Sequence, residues 1–127
     1  MIATSIKDVQ MNQQAIELFL STLAGAQAEF PFGPEAKVYK VMGKMFALVT
    51  QDETPTRITL KATPVDVDIL VDEYEAISRG YHMNKRHWIT VTLSDELSGA
   101  MLNDLMVRSY DLVVSGLTKA QQAALKV

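Results

Sequence analysis

Nine consecutive residues, Gly80-Tyr81-His82-Met83-Asn84-Lys85-Arg86-His87-Trp88, hold both histidines and the single tryptophan of a 127-residue chain, together with two cations and an amide. Three chemistries are open to such a set. Two histidines can ligate a metal, but His82 and His87 stand five apart, which directs them to opposite sides of an extended chain, and there is no cysteine to complete a thiolate site. A histidine near a lysine can move protons, so His87 beside Lys85 is a candidate acid or base, although no carboxylate is paired with it at a useful spacing. Cations interleaved with an aromatic ring can hold phosphates while the ring stacks on a base. The residues that fit this third chemistry are Lys40, Lys44, Arg57, Lys61, His82, Asn84, Lys85, Arg86, His87 and Trp88. Each also has a structural use: histidines bond backbone carbonyls, Asn84 suits a turn, Met83 and Trp88 pack, and strand cations protect sheet edges.

Other catalytic signatures are missing. The pair Gly43-Lys44 lacks the glycine of a phosphate-binding loop five positions before Gly43, where Val38 stands, and no Gly-x-Ser-x-Gly elbow occurs. No enzyme activity and no cofactor are expected.

Charge and length narrow the setting. Twelve Lys and Arg face 15 Asp and Glu, a net charge of −3, which opposes strong sequence-independent nucleic-acid binding. The charge is segregated, however: −3 over residues 1–36, +3 over 37–62, −5 over 63–78, +3 over 79–92 and −1 over 93–127. One domain of this length buries a sufficient core without staples. The absence of cysteine, of a signal-peptide pattern and of any long apolar run leads to the expectation of a cytoplasmic protein with no membrane association.

The elements that must position these residues follow from periodicity. Apolar residues at helical spacing predict a first helix over 6–24, capped by Ser5 or, if shorter, by Asn12, with Gly25 as its stop. Phe30-Pro31-Phe32-Gly33-Pro34 predicts a rigid turn with aromatic anchors, a cis Phe30-Pro31 bond being one option. Residues 37–42 and 44–50 read as strands meeting in a tight hairpin at Gly43, and 57–61 as a strand with Ile58 and Leu60 inward. Thr63-Pro64-Val65-Asp66 starts a helix expected to reach about Ile77. In the strand beginning at Trp88, Ile89, Val91 and Leu93 point inward and Trp88, Thr90 and Thr92 outward. Ser94 caps a long final helix ended by Gly116, and Thr118 with Gln121 forms a capping box for a tail helix within 118–127.

The order α-β(3)-α-β(2)-α with short connections predicts an α+β two-layer sandwich: a mostly antiparallel five-stranded sheet with its helices on one face. The other face is left open to Arg57, Thr59, Lys61, Trp88, Thr90 and Thr92. The whole of 1–127 reads as a single domain.

Phe30-Pro31-Phe32-Gly33-Pro34, Val38-Tyr39-Lys40-Val41, Gly43-Lys44-Met45-Phe46-Ala47-Leu48 and the Gly80–Trp88 stretch together resemble the MmcQ/YjbR family of small bacterial proteins. The likeness spans about residues 12–117 and leaves 1–11 as an extension. It implies a two-layer fold similar to secretion chaperones and CyaY-like proteins, and a family usually described as DNA-binding. Ile89 and Arg79 depart from the family pattern, which has asparagine after the tryptophan and proline before the glycine. DNA is therefore the expected partner. The alternative is a protein partner or a second copy, docked on the open face or on the Phe30–Pro34 turn.

Overall fold

The computed structural model describes residues 12–80 and 83–126. The expected extension 1–11, a helix start at Ser5, and His82 lie outside the described residues. The order is α1 (Gln13–Ser21), β1 (Ala26–Glu29), β2 (Ala36–Val41), β3 (Lys44–Thr50), β4 (Arg57–Lys61), α2 (Pro64–Glu73), β5 (Ile77–Arg79), β6 (Trp88–Thr92), α3 (Gly99–Ser115) and α4 (Lys119–Leu125). The strands form one six-stranded sheet in the order β1-β2-β3-β4-β6-β5, and every pairing is antiparallel.

The α+β sandwich is as expected, with one strand more. The sixth is β1, whose Ala-Gln-Ala-Glu sequence has little intrinsic strand preference; it forms because its backbone pairs with β2 from Ala26↔Val41 to Glu29↔Val38. Tertiary pairing also shortens α2. The chain leaves the helix at Tyr74, in an extended conformation, so that Ile77 can pair with Val91 at the sheet edge. The last long helix starts at Ser98 rather than Ser94. Ser94 instead closes a turn by accepting the Glu96 amide, and the Glu96 carboxylate accepts the amides of Glu75 and Ala76 at 3.1 and 2.8 Å, tying the end of α2 to the approach of α3. Asn12 caps α1, which is the shorter of the two expected helices. Among the described residues the cis bond is Thr54-Pro55, not Phe30-Pro31.

Local chemistry accounts for the elements that match. Met42 and Gly43 both have positive φ, 50° and 79°, as a two-residue hairpin turn demands. Thr63 accepts the Asp66 amide with Pro64 in the first helical turn, and Thr118 and Gln121 form the reciprocal capping box.

One face of the sheet is the core. Tyr39, Val41, Phe46, Val49, Ile58, Leu60, Ile77, Ile89 and Val91 pack with Ile16 and Leu20 of α1, Val67 of α2, and Leu102, Leu105, Met106 and Val113 of α3. A β-bulge sets the centre: the register passes from Tyr39↔Ala47 to Lys40↔Met45, which makes Phe46 the extra residue and turns both Phe46 and Ala47 inward. The Phe46 ring meets Tyr110 edge-on at 5.2 Å. At the bulge, the fully buried Ser109 hydroxyl donates to the Phe46 carbonyl at 2.5 Å and accepts the Lys61 amide at 2.8 Å.

Candidate binding face

The opposite face of the sheet carries Arg57, Thr59 and Lys61 of β4 against Thr92, Thr90 and Trp88 of β6, with Leu48 of β3 beside Thr59. This is the outward set the alternation predicts. Its centre is nevertheless covered: Thr59 and Thr90 are only 7% and 4% exposed, and their hydroxyls lie 3.3 Å apart. Phe32, on the Phe30–Pro34 turn, and Met83, in the loop before β6, wall this centre into a mostly apolar cavity of about 420 Å³ whose other lining residues are Ala36, Leu48, Thr50, Arg57, Thr59 and Thr90. The Phe32 side of the wall is open to solvent, with Phe32 itself 70% exposed.

Among the described residues, the connection from edge strand β5 to β6 is held by bonds of Gly80, Asn84 and Lys85 and by Arg79 of β5, whose guanidinium donates to the Lys85 carbonyl at 3.3 Å. The Gly80 amide donates to the Trp88 carbonyl at 2.8 Å. A Cβ on Gly80 would fall 2.7 Å from Trp88 Cβ and 3.2 Å from Met83 Cβ, so close packing requires glycine here. Asn84 Oδ1 accepts the Arg86 amide at 2.9 Å and the Asn84 carbonyl accepts the His87 amide at 3.1 Å, the turn chemistry expected of asparagine. Lys85 Nζ donates to the Gly80 carbonyl at 3.2 Å, closing the loop.

Trp88 is half-buried, and Lys61 Nζ lies 5.8 Å from its ring centroid, a cation–π distance. Because β3 begins where β4 ends, Lys44 reaches the same end of the sheet. Lys44, Met45, Lys61, Met83 and Trp88 line a second cavity, of about 440 Å³, closed from behind by α3 residues such as Leu112 and Val113. Met83 is a wall of both cavities.

Ion pairing divides the cations chosen from sequence. Lys40 pairs with Glu29 at 2.5 Å. Arg57, at the other end of β4, holds both carboxylate oxygens of Glu53 at 2.7 and 3.1 Å, which keeps that carboxyl below the usual range. Lys44, Lys61, Lys85 and Arg86 have no carboxylate partner among the described residues. The structure thus brings Lys44, Lys61, Asn84, Lys85, Arg86, His87 and Trp88 to one end, neutralises Lys40, and separates Arg57 from the group. Among the described residues no cluster of three or more metal-ligating side chains forms, and no helix is long and apolar enough to cross a membrane. The cavity between Phe32 and Met83 is the feature that sequence reasoning missed; Ala36 and Leu48, small or apolar residues on the outward parity, were its signal.

A family model described as YjbR matches residues 21–112, from the end of α1 to within α3. The chain belongs to the YjbR family. The matched span contains the whole sheet and the Gly80–Trp88 loop, so the features above sit inside the YjbR-family region. The uncharacterized protein YbdF of Escherichia coli O157:H7 is 44% identical over 93 residues, covering 73% of this chain and 76% of that one. The uncharacterized protein YjbR of Escherichia coli K12 is 29% identical over 91 residues, 72% and 77% of the two chains. Among solved structures, Deinococcus radiodurans DR2400, with a DUF419 domain, superposes with a TM-score of 0.85 at 33% identity over 94% of this chain and 93% of that one. A Pseudomonas syringae protein gives 0.70 at 27% identity, covering 80% and 98%. The YjbR-family fold is therefore shared along nearly the full length of the chain.

Proposed function

We propose that this protein is a non-enzymatic nucleic-acid-binding domain whose phosphate contacts come from Lys44, Lys61, Lys85 and Arg86. The observation that carries the reading is the selective pairing of cations: Lys44, Lys61, Lys85 and Arg86 at the Trp88 end have no carboxylate partner among the described residues, while Lys40, Arg57 and, next to that end, Arg79 do. Lys44 and Lys61 line one cavity with Trp88, and Lys85 and Arg86 stand in the loop that leads into it. Trp88 acts here by holding Lys61 in place, since one face of its indole is occupied by the ammonium. Lys85 spans two roles, closing its loop through Gly80 and presenting charge at the surface.

The test is fluorescence anisotropy of labelled DNA, titrated across salt. Binding should weaken with salt, with a logarithmic slope of about −0.7 to −0.9 per phosphate contacted, and Lys85→Glu/Arg86→Glu should lower both affinity and slope. Affinity that is independent of salt, or unchanged in the double variant, would overturn the reading.

A further inference from the structure

Beside the cationic end lies a site of different character. The cavity between Phe32 and Met83 is mostly apolar, and the one cationic side chain among its described lining residues, Arg57, is paired with Glu53, so that lining is close to neutral. Its floor is not featureless: the Thr59 and Thr90 hydroxyls meet there at 3.3 Å, and Thr50 stands at its edge. A hydroxyl has one donor and two acceptor sites, so whichever partner donates, Thr59 keeps at least one acceptor beyond that bond. At about 420 Å³ the cavity falls within the size range of small-ligand sites. Its open side offers the Phe32 ring, 70% exposed, in a turn that also contains Pro31 and Pro34. On its other side Met83 is shared with the cavity that contains Lys44, Lys61 and Trp88.

An occupant must therefore be flat, uncharged and able to hydrogen-bond at one edge, while being attached to something anionic that lies across Met83. An unpaired nucleobase on its sugar-phosphate backbone meets all four demands. A base within a duplex does not, because its edge is already paired and its faces are already stacked.

We infer that the protein recognises single-stranded nucleic acid, seating one unpaired base against Phe32 in the Thr59–Thr90 cavity while the adjoining phosphates lie on Lys61, Lys85 and Arg86. This rests on the nucleic-acid reading above and adds to it the strand state and the seat of the base. Phe32 supplies the stacking face, Leu48 and Met83 the apolar walls, and Thr59 a hydrogen bond. Since stacking and hydroxyl contacts do not depend on one particular base, sequence preference should be modest.

The experiment compares three labelled probes on the full chain at one salt concentration: a short single strand, the same strand with its bases replaced by abasic sites, and the corresponding duplex. The single strand should bind about tenfold or more tightly than either of the others, and Phe32→Ala should remove that advantage. Because Phe32 is exposed, this variant keeps the fold; Leu48→Trp, which fills the cavity from its wall, should act in the same direction. Equal binding of the single strand and its abasic form, or of the duplex, overturns the inference and leaves the phosphate reading standing. So does an unchanged preference in Phe32→Ala. If none of the three probes binds, both readings fall.

Discussion

The Ser109 hydroxyl donates to the Phe46 carbonyl at 2.5 Å, across 63 residues of chain, at the bulge where β3 turns toward the helices. By also accepting the Lys61 amide, it pins α3 to the two strands that deliver Lys44 and Lys61 to the binding face. Ser109→Ala would leave a buried carbonyl and a partly buried amide without this partner. Its expected cost is about 1–3 kcal/mol, read as a lower midpoint in urea unfolding at unchanged slope.

Gly80 tests the loop. An added methyl would meet Trp88 and Met83 inside normal contact distance. Gly80→Ala is expected to destabilise by about 1–3 kcal/mol, as overpacking does. Because Trp88 is the single tryptophan, its displacement should appear directly as a red-shifted emission maximum.

Acid stability should depend on Glu17. Burial pushes its carboxyl up, but hydrogen bonds from Lys37, Gln51, Gln13 and Tyr39 together outweigh this and hold it below the usual range. A depressed folded value means that its contribution is fully present above the unfolded carboxylate value of about 4.3 and is lost as pH falls through the folded value. Glu17→Gln should therefore unfold at lower denaturant concentration near neutrality, by about 1.5–3 kcal/mol, and the gap to the unaltered protein should narrow on acidification.

Tyr39 gives the opposite limb. Burial and the neighbouring Glu17 carboxylate raise its phenol well above the ordinary value, so the unfolded chain loses its proton first. That part of the stability should decline as pH rises above about 10, and Tyr39→Phe should flatten the alkaline limb of a thermal-unfolding series.

Pairing should sort the cations in binding assays. Lys61→Gln is expected to weaken DNA binding and reduce its salt slope by about one phosphate's worth. Lys40→Gln, which breaks only the pair with Glu29, should change the slope far less. Equal effects in anisotropy titrations would mean that the ion pairs open on binding.

Much of this was legible in the sequence, for physical reasons. The Met42–Gly43 turn, the Thr63 and Thr118 caps and the alternation of β4 and β6 are local features, decided by residues close together in the chain. β1 was not legible, because Ala26–Glu29 becomes a strand only through its partner Tyr39 and its neighbours in β2. Nor was the end of α2, where pairing of Ile77 overrides helix continuation. At the site, the charged and aromatic residues stood out by type, whereas the cavity depends on Phe32 and Met83, 51 positions apart, arriving over the same threonines.

Lys44, Lys61, Lys85 and Arg86 share one end of the sheet, while Asp52, Glu53, Glu75, Asp95 and Glu96 occupy the connections at the other, where β4 begins and β6 ends. Along β4 and β6 the molecule consequently changes sign, from cations unpaired among the described residues at one end of the strands to acidic connections at the other. A polyanion's field would rotate it before touching it, turning the positive pole forward and repelling collisions that arrive at the acidic pole. Heparin resin should for the same reason retain a protein of net charge −3, with the orientation of approach, rather than the overall sign, deciding whether it binds.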